Sequence, residues 1–401
     1  MTILESVSVV VQGLLLIYLG GTAIYLLIFS IFALFPIKKY PPLDFKKRRF
    51  AILIPCYQED EVIFEVTQQA LEQNYPASLF DVIIVADKFE KSTIEKLATL
   101  PVILFDESFS ISTKTRALNH ALRNLPENKY DIVVILDADN LMESNFIAHL
   151  NDAFSFPYQA IQAHRAAKNL NTNFAVLDAI SEEINNNIFR KGHRNAGLSS
   201  ALIGSAMAFR YDFFKQLMQD VEVVGGFDKE LELRLLRDHH LIHYLEDALV
   251  LDEKVQNVHV FSRQRRRWLS AQFHYFGKHF IPALKMLFKQ GNLDYFNKAF
   301  QYIQLPRVLL LGLLLLASFF SLFYNPVWLT LAWMAATGLI IMALLLAVPI
   351  KFYNFRTIKA LFSLPVGFVF MFLSLLRIRG ANRNFIHTKH TFNAFQKKSR
   401  K

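Results

Sequence analysis

The pattern of apolar and polar positions divides this chain into three kinds of segment. Val7 to Phe35 holds no charged residue and is long enough to cross a bilayer. A signal peptide is the competing reading, but no Lys or Arg precedes the run and no small-residue cleavage pattern follows it. From Phe50 the pattern changes to short β-branched or apolar runs at Phe50 to Pro55, Val82 to Ala86, Val102 to Phe105 and Ile132 to Leu136. Helix-like stretches such as Glu61 to Gln73 and Lys114 to Arg123 lie between most of them. Short apolar strands alternating with helices predict an α/β domain with a mainly parallel sheet covered on both faces. In such sheets ligands gather at the carboxyl ends of the strands.

Three more apolar segments follow Gln304. Val308 to Tyr324 and Trp328 to Val348 read as a hairpin of spans turning at Asn325-Pro326. Ala360 to Leu376 is shorter and interrupted by Pro365. A full crossing would put the basic tail, with Arg377, Arg379, Arg383, Lys389, Lys397, Lys398, Arg400 and Lys401, outside the cell. That conflicts with the positive-inside rule, so a re-entrant or interfacial segment is expected. The expected organisation is an N-terminal transmembrane helix over 1–37, an α/β domain over 44–268 and amphipathic interfacial helices over 269–304. A membrane region over 305–378 and a basic tail over 379–401 complete it.

Charge and cysteine usage sharpen this picture. The net charge of +10 raises nucleic acid as a partner, but most clustered Lys and Arg flank the apolar runs. Lys38, Lys39, Lys46, Lys47, Arg48 and Arg49 follow the first run directly, and only Glu5 precedes it. Basic residues beside spans stay on the cytoplasmic side and meet anionic lipid. The N-terminus is therefore expected outside and the α/β domain in the cytoplasm at the cell (inner) membrane, with membrane lipids and no nucleic acid as partners. Cys56 is the single cysteine, which leaves no intrachain disulfide and no cysteine-based metal site.

The candidate chemistry sits at the strand ends. Asp137-Ala138-Asp139 closes the run Ile132 to Leu136. Two carboxylates there can meet a divalent cation, Mg2+ or Mn2+, and a diphosphate. The bland alternative is that both aspartates cap the next helix. Pro55-Cys56-Tyr57-Gln58-Glu59 follows the first strand, Asp87 follows the second, and Lys114 and Arg116 precede Ala117-Leu118-Asn119. Acids and bases closing three strands, with a lysine suited to phosphate, describe a nucleotide-diphosphate site. No Walker-type or dinucleotide glycine loop is present, which disfavours an NTPase or a dehydrogenase.

These residues resemble, in order from about Phe50 to Trp268, the inverting nucleotide-sugar glycosyltransferases that include the cellulose, chitin and hyaluronan synthases (family 2). A looser likeness extends to His387-Thr388-Lys389. The resemblance implies a GT-A fold and a cytoplasmic catalytic domain between membrane helices. It assigns Pro55, Tyr57 and Glu59 to the nucleoside, Asp87 to a uracil edge, Lys114 to the donor diphosphate, and Asp137 and Asp139 to the metal. Gln264-Arg265-Arg266-Arg267-Trp268 contains the Gln-x-x-Arg-Trp signature of the membrane polysaccharide synthases. In relatives its Trp lies under the acceptor sugar and its Arg meets the pyrophosphate, which charge and stacking explain. A juxtamembrane basic patch is the other reading of those arginines.

The general-base motif departs from the family. Relatives carry Glu-Asp followed by x-Glu-Leu; here Phe227 stands where the Glu would be, before Asp228-Lys229-Glu230-Leu231. Asp228 keeps the base position in one register, another register favours Glu230 or Glu232, and a helix N-cap at Asp228 is the structural alternative. Gly204-Ser205-Ala206 resembles the small-residue loop before the acceptor site, or is a packing turn. His239, His240 and His243 have helical spacing but no acid cluster, and are expected at the surface. His193 beside Arg194 is a candidate contact for an acceptor or a lipid phosphate. The implied reaction is metal-dependent, inverting transfer from a UDP-sugar to a polysaccharide or lipid-linked glycan acceptor. Single-sugar transfer to a lipid-linked acceptor and an inactive membrane scaffold or sugar-nucleotide sensor are the alternatives.

Overall fold

In the computed structural model, residues 3–223, 225–256 and 258–377 are described. The basic tail and the His387-Thr388-Lys389 stretch, apart from Arg377, lie outside them. The expected short runs are strands: β1 (Phe50–Tyr57), β2 (Phe80–Asp87), β3 (Ile103–Glu107) and β4 (Ile132–Ile135). Four more follow, β5 (Leu141–Met142), β6 (Ala160–Ala167), β7 (Met207–Arg210) and β8 (Ile242–Asp252). Together they form one sheet in the order β3-β2-β1-β4-β7-β6-β8-β5. The β3-β2-β1-β4 half is parallel throughout; β7 is antiparallel to both its neighbours, and β8 runs parallel to β6 but antiparallel to β5. The sheet is thus mixed, with a parallel half as expected.

Strand alternation explains the two cores. In β1, Ala51 and Leu53 face one way, while Phe50, Ile52, Ile54 and Cys56 face the other. In β4, Val133 and Ile135 join the first core, and Ile132 and Val134 the second. Side chains on successive strand residues point to opposite faces, and a sheet covered on both faces needs apolar residues at both parities. Helix Lys114–Asn124 packs its buried Ala117, Leu118, Ala121 and Leu122 on the first core. Helices Ile63–Leu71 and Phe146–Ala153 cover the second. The chain winds from β1 to β2 and β3 on one side, and β4 lies on the other. A crevice at the carboxyl ends of β1 and β4 follows from that change of direction.

Among the described residues, three helices are long and apolar enough to cross a membrane: Val7–Ala33, Arg307–Tyr324 and Val327–Ala347. Helices Phe355–Leu361 and Leu364–Leu376 form a pair bent by 45°, which fits a broken span or a re-entrant loop. The bend falls before Pro365, which starts the second helix rather than kinking it. The N-terminal helix packs closely on the α/β domain, because a side chain at Gly192 would lie 2.2 Å from the carbonyl oxygen of Phe29. The Gln264 to Trp268 stretch lies within helix Val258–Gln290, which is continuous through residue 268. The expected 268/269 boundary therefore falls inside one helix.

Candidate active site

The side expected to bind the donor is assembled by strand pairing. Tyr57 and Asp87 end their strands directly opposite one another, and Pro55 faces Val85 two residues earlier. Both strands are followed by a left-handed residue, Gln58 at φ 53° and Lys88 at φ 59°. The turn lets the Gln58 amide donate to the Asp87 carbonyl at 3.2 Å. Asp87 is buried, and its carboxylate accepts from the Phe109 amide at 3.1 Å. The Lys88 ammonium sits 5.7 Å from the centre of the Tyr57 ring. Glu59 is buried just beyond β1. Burial raises the Cys56 thiol, with further electrostatic influence from Glu59, Lys114, Asp137 and Asp139.

Asp137 is the centre of the crevice. Its backbone amide donates to Asn140 Oδ1 at 3.2 Å and Ser205 Oγ at 3.1 Å, while its partly exposed side chain pairs with the Lys114 ammonium. Lys114 opens helix Lys114–Asn124, which Thr113 caps by accepting from the Arg116 amide. The Lys114 ammonium also donates to the Gly204 carbonyl at 2.7 Å, across 90 residues of sequence, and lies 5.4 Å over the Phe227 ring. Gly204 has φ +81°, and a Cβ there would stand 3.5 Å from Phe227 and 3.7 Å from the Asp228 side chain. Asp137, Lys114, Gly204, Phe227 and Asp228 are thus one contiguous group. Phe227, where relatives have an acid, gives the lysine an aromatic face instead.

Asp139 differs from Asp137. It is only 4% exposed, and its two oxygens accept from the Glu253 amide at 2.7 Å and Asn140 Nδ2 at 3.0 Å. Neither aspartate caps the next helix; Asn145 holds that position. Among the described residues no group of three His, Cys, Asp or Glu forms a protein-only metal cage. Two carboxylates with spare oxygen lone pairs fit Mg2+ or Mn2+, because such ions commonly take one or two protein carboxylates and complete their shell from phosphates and water.

A buried arginine, invisible to the sequence reading, backs this edge. Arg165 on β6 lies 4.0 Å from Asp137 and pairs with Glu182 at 3.2 Å and Asp252 at 3.1 Å. Burial pushes the Glu182 carboxyl up, but Arg165 and Arg190 outweigh this and hold it well below its usual value. The available signal was an arginine inside the alanine-rich stretch Ala160–Ala167, which Gln162 and His164 also interrupt.

Helix Phe227–Arg237 separates the candidate bases. Its N-cap is Gly226, at φ 73°, so Asp228 lies in the first turn and is not the cap. A Cβ on Gly226 would press on Tyr275 at 3.2 Å and Ala271 at 3.3 Å, which fixes this helix start against helix Val258–Gln290. Glu230 is buried and paired with Arg234 at 3.0 Å and Lys278 at 3.2 Å. Burial raises its carboxyl, yet Arg234 and Lys278 leave it below the usual value. Glu232 is buried on Lys298 at 2.7 Å. Neither acid shares the contacts of Asp228 with Gly204.

On helix Val258–Gln290, Gln264 and Arg267 are partly buried and Trp268 is 39% exposed. The guanidinium of Arg265 stacks 4.4 Å over the Trp268 ring and pairs with Asp178 at 2.6 Å, so the arginines are not merely a solvated patch. His239 is exposed as expected, whereas the expectations for His193 and His243 need correction. His193 is buried, stacked 3.8 Å on Phe29, and bonded to the Ile188 carbonyl and the Tyr25 hydroxyl. Burial pushes it down to about 3, as for a core histidine. His243 lies on β8, stacked 4.2 Å on Tyr158, with burial lowering it to about 4. The helix ends at Arg237, so the apparent helical spacing of His239, His240 and His243 is not realised.

Comparison with known proteins completes the picture. The model of the family described as "Glycosyltransferase like family 2" matches residues 48–271. The chain is 23% identical over 268 residues to "Probable glycosyltransferase YdaM" of Bacillus subtilis, covering 63% of this chain and 62% of that protein. It is 25% identical over 232 residues to "Beta-monoglucosyldiacylglycerol synthase" of Trichormus variabilis, covering 54% of this chain and 47% of the synthase. The chain thus matches less than two-thirds of the length of either relative. The solved structure of a mannosyltransferase from Pyrobaculum calidifontis, with GDP-Man and Mn2+, superposes with a TM-score of 0.51 at 19% identity. That alignment covers 84% of this chain and 97% of the mannosyltransferase, and it identifies the fold as GT-A-like.

Proposed function

From the premise that the chain belongs to glycosyltransferase family 2, we propose that it transfers a sugar from a UDP-sugar, with inversion, to an acceptor presented at the cytoplasmic face of a membrane. One observation carries this reading: Lys114 contacts both the Asp137 carboxylate and the Gly204 carbonyl, and Gly204 abuts Asp228. A group suited to a diphosphate and a group suited to deprotonating a hydroxyl therefore adjoin.

Pro55, Tyr57, Glu59 and Asp87 would line the nucleoside, the last through the uracil edge. Lys114 would meet the diphosphate. Asp139 and Asp137 would hold Mg2+ or Mn2+, which when bound supplies positive charge against the departing diphosphate. Arg267 would add to that charge from the far side, with Gln264 and Trp268 placing the acceptor. Asp228 would take the proton of the acceptor hydroxyl as that oxygen attacks the anomeric carbon from the face opposite the diphosphate. A single displacement needs no covalent sugar-enzyme intermediate, so one base suffices. The name of the Trichormus variabilis relative, a beta-monoglucosyldiacylglycerol synthase, favours addition to a lipid. The Gln264 to Trp268 signature favours chain extension, and product length separates the two.

The purified protein should release UDP from a member of a UDP-sugar panel in Mn2+ or Mg2+ and stop on chelation. No release from any donor would leave the scaffold or sensor reading. The basic residues after the first span favour an orientation with the N-terminus and the hairpin turn outside. Tyr324→Cys at that exposed turn should react with an impermeant maleimide on intact cells, the buried Cys56 staying silent. Protection of Tyr324→Cys would reverse the orientation.

A further inference from the structure

The Gln-x-x-Arg-Trp signature uses Gln264, Arg267 and Trp268 and leaves positions 265 and 266 open. The structure gives position 265 a definite set of partners. Arg265 and Trp268 are three residues apart on helix Val258–Gln290, so their side chains share one face. The Arg265 guanidinium lies 4.4 Å over the Trp268 ring. A planar guanidinium stacks on an aromatic face in a way that a lysine ammonium does not. Trp268 still keeps 39% of its surface exposed, so it is held from one side without being buried.

A contact along one helix surface would not by itself fix the ring, but Arg265 is anchored from a second element. Its Nη2 donates to Asp178 Oδ1 at 2.6 Å, and the two side chains are only 15% and 13% exposed. Water and salt screen such a pair less than they screen a surface ion pair. Asp178 lies on helix Asn173–Asn185, which Thr172 caps by accepting from the Ala175 amide at 3.1 Å. The second oxygen, Asp178 Oδ2, accepts from the Val255 amide at 3.4 Å. One carboxylate therefore ties the stacked arginine to the stretch that leads into helix Val258–Gln290.

The same helix and the same stretch also serve the Asp137–Asp139 edge. The Glu253 amide donates to Asp139, and two residues later the Val255 amide donates to Asp178. Between them the Lys254 amide donates to Asn169 at 2.6 Å, just ahead of helix Asn173–Asn185. One turn beyond Asp178, Glu182 pairs with Arg165, which lies 4.0 Å from Asp137. Residues four apart share a helix face. This helix thus presents one acid to the arginine behind Trp268 and the next to the arginine behind Asp137.

We propose that Arg265, anchored by Asp178, is a positioning residue that sets the plane of the Trp268 ring, and that this plane selects an acceptor sugar able to stack on the face away from the guanidinium. The inference rests on the reading that Trp268 places the acceptor. A ring already fixed needs no further ordering when a sugar stacks on it, so loosening the ring weakens acceptor binding and leaves the donor untouched.

The test labels the full chain in detergent micelles with 5-fluorotryptophan. Its three tryptophans give three fluorine resonances, and Trp268→Phe identifies the one from Trp268. Arg265→Lys keeps a cation for Asp178 but lacks the planar stack, whereas Asp178→Asn removes the anchoring charge. Both variants should move the Trp268 resonance and leave those of Trp328 and Trp333 in place. UDP binding in Mn2+ should be unchanged. Transfer, read as UDP release in washed membranes of the source cells, should fall about tenfold. If Arg265 were only a structural cation, Arg265→Lys would preserve both the resonance and transfer, and that result would overturn the proposal. A moved resonance with undiminished transfer would sink the acceptor role of the ring plane. Should Asp178→Asn fail to fold, Arg265→Lys decides alone because it retains the ion pair. Absence of UDP release from every donor sinks the donor reading, while the resonance still decides whether Arg265 positions Trp268.

Discussion

The two sides of the candidate site are made by different means. On the donor side, Tyr57, Asp87 and Asp137 stand at or just past the ends of three strands that pair in parallel. Ladder hydrogen bonds fix where those backbones stop, so the side chains inherit their positions from the sheet. On the side of Asp228, a loop at Gly204, a helix start at Gly226 and the 33-residue helix Val258–Gln290 meet by close packing. Both glycines are left-handed, and both have a neighbouring side chain within 3.5 Å of where a Cβ would be. Changes on the donor side should therefore affect chemistry more than folding, whereas changes around Asp228 should mix the two.

The largest effect is expected at Asp139. Because it is buried and accepts from the Glu253 amide, Asp139→Ala would strand that donor at a cost of about 1–3 kcal/mol. Asp139→Asn keeps an acceptor oxygen while removing the charge. Transfer should fall by at least about a hundredfold, as when other fixed electrostatic groups are lost, while the melting temperature falls less than in Asp139→Ala because only one of the two donors loses its acceptor. Activity within a few-fold of wild type, with Mn2+ making no difference, would break the donor-side account. Lys114→Gln should be milder, weakening the donor by about tenfold and more in KM than in kcat. A pure kcat loss would instead place Lys114 with Asp228. The smallest effect on transfer is expected for Gly204→Ala, which forces a Cβ into φ +81° at a cost of about 1–2 kcal/mol. Transfer should drop alongside the melting temperature; a lowered melting temperature with full transfer would show that the Gly204 contact is packing alone.

The same contrast explains what the sequence could reveal. The first four strands were legible because each is a short apolar run, and the polar residues closing them were legible by position. The mixed half of the sheet was not. β6 carries His164 and Arg165 within its run, and β7 is only four residues long, so neither has clean periodicity. The junction of Lys114 with Gly204 spans 90 residues and is set by tertiary packing that no local pattern encodes. Asp228 was legible as a motif residue, but its register was not. Burial of Glu230 on Arg234 and Lys278 separates the two acids, and that depends on a helix some 48 residues downstream. The histidines misled because their spacing mimics a helix face, although the helix ends before them.

The central claim is that Asp228 works beside the Lys114–Asp137 pair as the base for the acceptor. The most direct measurement compares UDP binding and sugar transfer in Asp228→Asn and Glu230→Gln. A positioned base contributes about a hundred- to ten-thousand-fold, so Asp228→Asn should lose transfer on that scale while binding UDP normally. Glu230→Gln should keep turnover and lose stability, because it leaves Arg234 and Lys278 without their carboxylate. Transfer surviving in Asp228→Asn and lost in a folded Glu230→Gln protein would contradict the assignment and move the base to the other register.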